Sequence, residues 1–534
     1  MRIVQIITLI IAAVIFLFLT LTGVLGDLFW FDSVGYSPVY MTMLLISGSM
    51  FLVSAIIFFA FSYGNILLAA RVGAGRYGVE RSVLILCGLG SVIASVIAGL
   101  SVTGLWEVVL GFLNQTQFQV IDPIFGLDIS FYIFSLPFYS LLLRYLLILF
   151  IFTAIISFIS FQLQQSGIQL DADGNFSFTG QAPPFTLSWK EMVGGFLPQL
   201  NALLFLIFAS LAGTLWLTRF SLLYASKGTV YGAGYTDVIV TIPVLTILSA
   251  LAFLIGLCFL FNEKIKRPEM IVYGIVGFLA IALLGIIAGF LMQSLVVQPN
   301  EFNMEKQYLE YNINSTLAGF NLTSADAREF PVSYNLTSSD IQNNSATTAN
   351  IRLWDWRPMK TTLEQLQLFR TYYVFHDVDV DRYRLNGTYK QVLISAREMN
   401  TYNLPSQAQT WVNQHLVYTH GYGAVMSPVD KVTANGLPEF YVKDIPPTSP
   451  YLTLDQPRIY YGEGDNPYII TNTGTEELDY PSGDENIYTV YDKTGGVLLS
   501  GLSKLVYAIN FGSVELLVSG SLTPESRLHL HRNI

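Results

Sequence analysis

Cysteine and charge are both scarce in this chain of 534 residues. The two cysteines, Cys87 and Cys258, lie in apolar runs, so the polar C-terminal part has none. This absence excludes a disulfide framework or a cysteine-based zinc site from that part. Charged residues make up 12% of the chain, whereas soluble proteins usually carry about 25%. The composition is typical of a protein with a large membrane-embedded part.

Basic residues are also few, and no region collects them on one face. Residues 1–298 hold 11 Lys and Arg against 12 Asp and Glu, and residues 299–534 hold 17 against 26. The polar part is therefore acidic, and nucleic acid is excluded as a partner because its phosphates need a basic surface.

What the sequence does contain is long hydrophobic runs. A bilayer core of about 30 Å needs roughly 20 apolar residues of helix. Seven runs meet this length, at about 3–25, 41–63, 83–105, 138–161, 196–217, 239–261 and 271–297. The first run is too long for a signal peptide and has no small-residue cleavage site, so it is interpreted as a retained span.

The distribution of Lys and Arg between the short loops predicts the orientation. With the N-terminus in the cytoplasm, eight basic residues fall inside and only Arg219 and Lys227 fall outside. The inside residues are Arg2, Arg71, Arg76, Arg81, Lys190, Lys264, Lys266 and Arg267. Seven crossings then place everything after Val297 outside the cell.

Sequons for Asn-linked glycosylation agree with this orientation, since such sites matter only outside the cytoplasm. They occur at Asn314, Asn321, Asn335, Asn343 and Asn386. Chance is the competing explanation, because loops rich in Asn, Ser and Thr produce sequons at random.

The predicted fold is a seven-span α-helical membrane bundle followed by an α+β extracytoplasmic domain. The transmembrane domain covers 1–298, a polar linker rich in Asn, Ser and Thr covers 299–350, and the outer domain covers 351–534. An amphipathic helix is expected within 351–375. The pair Asn386-Gly387 between two alternating runs predicts a β-hairpin.

Three aspartates in the outer domain are the candidate metal ligands. Asp377, Asp379 and Asp381 alternate along a predicted strand, so their carboxylates share one face. A divalent cation would neutralise them, and Ca²⁺ suits an extracytoplasmic oxygen cluster. The alternative is a solvated edge strand whose charges prevent aggregation.

Catalytic signatures are missing from the outer domain. It has no Gly-Xaa-Ser-Xaa-Gly motif, and the outer histidines (His376, His415, His420, His529 and His531) lack the spacing of a helical zinc site. No catalytic residue is nominated. The spans likewise lack the chain of ionisable groups that a proton-coupled transporter needs.

Several separated motifs resemble those of the integral membrane proteins of uncharacterised protein family 0182. They are Trp30–Tyr36, Asp122–Asp128, Tyr231–Asp237, Pro299–Glu301, Asn350–Asp355, Asp379–Tyr383, Trp411–Asn413, Tyr418–Gly423 and Ile459–Glu463. The resemblance implies seven N-terminal spans and a large extracytoplasmic domain, with no assigned activity. Members of this family are longer, so this sequence is expected to be a C-terminally truncated form.

Three functions are consistent with these observations. The first is a cell-membrane protein that anchors an outer domain for binding a protein or glycan of the cell envelope. The second is a metal-dependent envelope enzyme that uses the outer Asp and His side chains. The third is a transporter or channel, which the shortage of charge within the spans disfavours.

Overall fold

Helices dominate the N-terminal half of the computed structural model. The described residues are 2–74, 79–165, 168–170, 176–178, 195–226, 231–265 and 269–534, with the backbone alone for 2–17, 168–170, 176–178 and 263–265. The main helices of this half are α1 (Arg2–Ser33), α2 (Ser37–Ala74), α3 (Arg81–Thr103), α4 (Trp106–Leu113), α5 (Leu136–Gln165), α6 (Leu197–Ser221), α7 (Ile242–Ile265) and α8 (Glu269–Leu291). Two short strands, β1 (Ile168–Leu170) and β2 (Phe176–Phe178), pair antiparallel.

Within the described residues, six helical stretches are long and apolar enough to cross a membrane. They are Ser37–Ala74, Arg81–Thr103, Phe131–Gln165, Leu197–Tyr224, Asp237–Asn262 and Glu269–Gly319. These six coincide with the second to seventh predicted spans, and the first predicted span lies within α1. Several residues of the charge argument, namely Arg76, Lys190, Lys227, Lys266 and Arg267, lie outside the described residues. The orientation therefore stays a prediction.

Residues 43–328 form one compact unit in which small residues allow helices to approach closely. A Cβ added at Gly99 would lie 2.7 Å from the ring of Phe51, and one at Gly285 would lie 2.5 Å from the Val244 side chain. Close helix packing is the predicted role of these small residues. Gly289, one turn after Gly285, faces open space instead.

The predicted linker contains a helix that the sequence interpretation missed. Residues 299–350 are predicted to be a polar linker, but Glu301–Gly319 within them forms helix α9. Its first turns carry Glu, Met, Lys and Gln, which are good helix formers, and it continues almost directly from α8. Two further short helices follow, α10 (Ser338–Asn343) and α11 (Ser345–Thr348).

A second compact unit joins residues Met1–Thr42 with Glu329–Ile534. Its helices are α12 (Trp356–Gln367), α13 (Gly501–Asn510) and α14 (Glu515–Val518). Its strands are β3 (Tyr373–Val374), β4 (Asp379–Leu385), β5 (Thr388–Ala396), β6 (Glu398–Met399), β7 (Gly421–Tyr422), β8 (Ala424–Pro428), β9 (Arg458–Ile459), β10 (Ile469–Thr471), β11 (Glu477–Ser482), β12 (Glu485–Thr489), β13 (Val497–Leu498) and β14 (Arg527–His529). Short sheets beside helices match the predicted α+β character.

The predicted hairpin is present and belongs to an antiparallel sheet of order β4-β5-β8. Asn386 and Gly387 connect β4 to β5 with φ angles of 49° and 80°, the conformation that a two-residue type I′ turn requires. The predicted amphipathic helix is α12, where Met359 and Leu363 pack against Leu393 of the sheet. Asp355 caps it by accepting a hydrogen bond from the Arg357 amide at 3.0 Å.

The C-terminal end of α1 packs within this second unit. The Tyr507 hydroxyl donates to the Gly26 carbonyl at 2.6 Å, and the Asn510 amide donates to the Thr22 carbonyl at 3.1 Å. Phe29 and Trp30 pack against the core cluster that includes Tyr507. Contacts thus group α1 with the C-terminal region, whereas composition alone groups it with the other apolar helices.

Candidate metal centre

Three carboxylates converge at the start of strand β4. Asp377 precedes the strand, Asp379 is its first residue, and Glu463 comes from the loop after β9. One oxygen atom from each lies within 4.8 Å of the others, and all three residues are exposed. Asp, Glu, His and Cys side chains can all bind a metal ion. Among the described residues, these three carboxylates are the group close enough to share one ion.

A buried carboxylate fixes the loop that carries Glu463. Glu398 is 2% exposed and accepts hydrogen bonds from the backbone amides of Glu463 at 2.7 Å and Gly464 at 3.2 Å. The side-chain amide of Asn466 donates to it at 3.4 Å. A buried carboxylate is tolerated when its oxygens accept several hydrogen bonds. Glu398 therefore determines where the Glu463 side chain begins.

The glycines on either side of Glu463 permit this close approach. A Cβ at Gly462 would lie 2.4 Å from the Glu398 carboxylate, and a Cβ at Gly464 would lie 2.3 Å from Nε2 of His376. Both distances are far below van der Waals contact, so a side chain at either position would displace the loop. The sequence Gly462-Glu463-Gly464 thus lets the loop lie against Glu398 and His376.

His376 adds an imidazole beside the carboxylates. Its Nε2 atom lies 3.4 Å from Oε2 of Glu398 and has no hydrogen-bond partner among the described residues. Its backbone carbonyl accepts a hydrogen bond from the Lys360 ammonium group at 2.8 Å. This contact ties the loop that precedes Asp377 to helix α12.

The carboxylates perturb one another electrostatically. Desolvation, the charge and hydrogen bond of Asp377, and the charges of Asp379 and Glu398 together raise the pKa of Glu463 to about 7. Like charges within a few ångströms disfavour the ionised form. A bound divalent cation would reverse this effect, because it stabilises all three ionised carboxylates. An all-oxygen donor set of this kind suits Ca²⁺ or Mg²⁺.

Asp381 does not join this group, although its alternation with Asp377 and Asp379 suggested that it would. Its carboxylate instead accepts a hydrogen bond from the Arg382 amide at 2.6 Å. Residues two apart on a strand are separated by roughly 6.6 Å. Three alternate residues of one strand therefore cannot all reach the same ion. The third carboxylate, Glu463, comes from a distant segment.

The other outer histidines occupy structural positions away from the carboxylates. His415 contacts the Tyr468 carbonyl through Nδ1 at 2.7 Å, and His531 packs edge-on against Trp30. Burial lowers the pKa of His420 to about 4 and that of His529 to about 3, so both are neutral at physiological pH. His529 lies between Tyr461 and Thr471.

All five predicted glycosylation asparagines are exposed. They are Asn314, Asn321, Asn335, Asn343 and Asn386. Exposure is necessary for modification but does not establish it, so their use stays a prediction.

Glu463 and Glu398 are the site residues that sequence reasoning missed. Both are distant from the aspartates along the chain and follow no local spacing rule. The only available signal was the motif Ile459–Glu463, which carries two tyrosines and a glycine directly before the carboxylate.

Comparison with known proteins assigns the chain to a family without assigning an activity. The model of the uncharacterised protein family UPF0182 matches residues 4–534. A UPF0182 protein of Methanospirillum hungatei is 66% identical over 100% of this chain and 60% of its own length. Proteins of Pelotomaculum thermopropionicum and Trichodesmium erythraeum are 37% and 36% identical over 97% and 96% of this chain.

The chain spans 58% and 56% of the length of those last two relatives. No solved structure matches it. The family match and the identities together establish one conclusion: the chain belongs to the uncharacterised protein family UPF0182.

Proposed function

We propose that this protein is an integral membrane protein that holds a divalent-cation-binding domain at the outer face of the cell membrane. The observation that carries the cation site is the convergence of Asp377, Asp379 and Glu463 within 4.8 Å. Three anionic oxygens at this separation repel one another in water, and a divalent ion removes that repulsion.

Membrane anchoring is supported by the six long apolar helices. Their length and composition suit a bilayer, and an apolar helix satisfies its own backbone hydrogen bonds there. In the proposed orientation the C-terminal end of α1 emerges on the outer side. The contacts of Thr22 and Gly26 with Asn510 and Tyr507 agree with an outer location of the C-terminal unit.

The bound ion is proposed to be Ca²⁺. The three carboxylates are exposed, which leaves coordination positions open to water, and Ca²⁺ accepts six to eight oxygen ligands in flexible geometry. Mg²⁺ demands a tighter octahedron and keeps more of its water, so it should bind more weakly to this set.

Calorimetric titration of the full chain in detergent with CaCl₂, after removal of metals, tests the cation site. The wild-type protein should bind one ion with a Kd on the order of 10⁻⁴ M, a value typical of exposed extracellular sites. Asp379→Asn should weaken binding at least about tenfold, because it removes one anionic ligand. Asp381→Asn is the matched control and should leave the affinity unchanged. Absence of binding, or equal losses in both variants, would refute the site.

Labelling of single cysteines on intact cells tests the orientation separately. In a chain with Cys87 and Cys258 replaced by serine, a membrane-impermeant maleimide should modify Ser339→Cys. It should modify Arg71→Cys only after the cells are permeabilised. Ser339 and Arg71 are both exposed in the structure, so accessibility of the side chain is matched. The reverse labelling pattern would contradict the proposed topology.

A carbohydrate or protein of the cell envelope is the proposed partner of the outer domain. Tyr389 and Tyr402, which are 61% and 65% exposed, offer aromatic faces of the kind that bind sugars and protein surfaces. Sedimentation of the full chain with purified envelope glycan, with Ca²⁺ or with EDTA, tests this partner. Binding that requires Ca²⁺ would support it, and absence of binding in both conditions would exclude the glycan.

A further inference from the structure

A groove of about 850 Å³ runs along helices α7 and α8 within residues 43–328. One end is polar and is lined by Thr236, Asp237, Thr241, Gln293 and Glu305. The polar residues precede the apolar ones along the first helix and follow them along the second. Both helices therefore place their polar residues at the same end of the groove. Polar groups therefore gather at one end of the groove and do not alternate along it.

The other end of the groove is apolar. Val244 and Leu248 of α7 and Ile286 and Phe290 of α8 line it. At 1.5 Å per residue, the distance from Asp237, in the turn before α7, to Leu248 of α7 is roughly 16 Å. This length suits a polar headgroup followed by part of an acyl chain rather than a single ion. The groove has the polarity and dimensions of an amphiphile.

A buried carboxylate occupies the polar end, and no ionic partner for it is found among the residues that the structure describes. Glu305 is 5% exposed, and both of its oxygens face the same backbone amide, that of Tyr235, at 3.2 and 3.1 Å. Gly234 makes room for it, since a Cβ there would lie 3.0 Å from both oxygens. No Lys, Arg or His is among the described residues that line the groove. A buried anion is costly unless a cation or several donors satisfy it.

The polar side chains described beside Glu305 supply no positive charge. Asp237 accepts hydrogen bonds from the Thr241 hydroxyl at 3.1 Å and the Gly234 amide at 3.4 Å. The Thr236 hydroxyl donates to the Gln293 side chain at 2.6 Å. Asp237 adds a second negative charge to the same end, so the polar end is complementary to a cation that can donate hydrogen bonds.

Both helices depart from regular α geometry at this end. Asp237–Thr241 and Met292–Val297 are π-helical, and each segment contributes residues to the lining. A π-helical turn accommodates an extra residue, widens the helix and occurs preferentially at functional sites. Two such turns border the polar end of the groove.

We propose that this groove binds a lipid with an ammonium headgroup. The ammonium group contacts Glu305 and Asp237, and an acyl chain lies along Val244, Leu248 and Ile286. The charge complementarity of the polar end excludes an anionic headgroup, and the apolar end of the groove has no role for a bare cation. The proposal rests on the membrane insertion proposed above, because the lipid enters from the bilayer.

Lipid retention by the full chain tests the proposal. The protein is reconstituted in nanodiscs of phosphatidylethanolamine and phosphatidylglycerol in equal amounts, extracted briefly with mild detergent, and examined by native mass spectrometry. The wild-type protein should retain phosphatidylethanolamine over phosphatidylglycerol by about tenfold, the factor expected for one favourable buried charge contact. Equal retention of the two lipids would overturn the proposal.

Two pairs of variants locate the binding. Glu305→Gln should abolish the preference by removing the charge, whereas Glu310→Gln, an exposed carboxylate on the same helix, should keep it. Gly289→Leu should block the groove, because Gly289 lines it and faces open space. Gly277→Leu is its control, since Gly277 also faces open space on α8 but lies outside the lining. A preference that survives both Glu305→Gln and Gly289→Leu would contradict the assigned position.

Two further outcomes separate the alternatives. Displacement of the lipid by free ethanolamine at millimolar concentration would overturn the role of the acyl chain, and displacement by NaCl alone would indicate a simple cation site. Failure of the chain to enter nanodiscs would overturn membrane insertion together with this proposal. Normal incorporation without a lipid preference would overturn the groove proposal alone.

Discussion

The two carboxylate sites of this molecule differ in burial, and the difference predicts different ligands. At the start of β4, Asp377, Asp379 and Glu463 are exposed and close to one another. At the polar end of the groove, Glu305 is buried beside an apolar wall. Exposed clustered anions favour a hydrated divalent ion. A buried anion at one end of an apolar groove favours a cation that carries its own apolar chain.

The two sites also differ in what holds them. A buried second carboxylate and two glycines support the exposed cluster, because Glu398 anchors the Gly462–Gly464 loop. Two π-helical turns shape the groove. The cluster should therefore be sensitive to loop substitutions, whereas the groove should be sensitive to substitutions within helices.

The largest expected effect is that of Glu398→Ala. It leaves the buried amides of the 462–464 loop without an acceptor and opens a cavity, so unfolding of the C-terminal unit should become easier by about 3 kcal/mol. Ca²⁺ binding should be lost in the same variant. Thermal unfolding followed by circular dichroism, with and without Ca²⁺, measures both effects.

Asp381→Ala is the control for this comparison. Asp381 is exposed on strand β4, which begins at the cluster, so its loss should change stability by no more than about 0.5 kcal/mol. A Glu398→Ala protein as stable as Asp381→Ala would show that Glu398 does not support the cluster.

The next effect is that of Gly462→Ala, which should cost about 2 kcal/mol. Its new Cβ would lie 2.4 Å from the Glu398 carboxylate, and that carboxylate cannot move because it is buried and hydrogen-bonded. Gly520→Ala, where nothing lies within 4 Å, is the matched substitution and should be nearly neutral. Urea denaturation compares the two. A neutral Gly462→Ala would mean that the loop tolerates displacement.

A smaller expected effect is the pH dependence of the exposed carboxylate cluster. The pKa of Glu463 is raised to about 7 in the folded protein, so the folded state holds this proton more tightly than the unfolded state does. Protonated Glu463 therefore stabilises the fold fully below the unfolded pKa of about 4.3. This stabilisation is lost as pH rises through about 7. Without Ca²⁺ the melting temperature should therefore fall over this range. Because Ca²⁺ competes with the proton, its affinity should increase roughly tenfold from pH 6 to pH 8.

Glu463→Gln should remove this pH dependence and weaken Ca²⁺ binding. Calorimetric titrations at pH 6, 7 and 8 on the wild-type protein and this variant give the comparison. A Ca²⁺ affinity that does not change with pH would contradict the placement of Glu463 among the ligands.

Local sequence pattern predicted those features whose causes are local. The long apolar runs predicted the helices α2, α3 and α5 to α8, and Asn386-Gly387 predicted the β4–β5 turn because few residue pairs accept two successive positive φ angles. Asp377 and Asp379, which the alternation predicts to share one face, also lie close together in the structure. Each of these depends on residues within a few positions of one another.

Features that depend on tertiary placement could not be predicted. Asp381 follows the right alternation but lies too far along the strand, and Glu463 takes the third position from a loop more than eighty residues away. Helix α9 was missed because the later Asn, Ser and Thr residues of 299–350 hid the helix-forming residues at its start. The buried carboxylate Glu305 lies on this missed helix, so the groove was missed as well.

The most direct test of the cation site is a structure of the full chain determined with Ca²⁺ present. The proposed function predicts one calcium peak, identified by anomalous scattering, with oxygens of Asp377, Asp379 and Glu463 at about 2.3–2.6 Å. Asp381 should remain uncoordinated. A peak coordinated by Asp381 in place of Glu463, or no peak between these carboxylates at millimolar Ca²⁺, would contradict it.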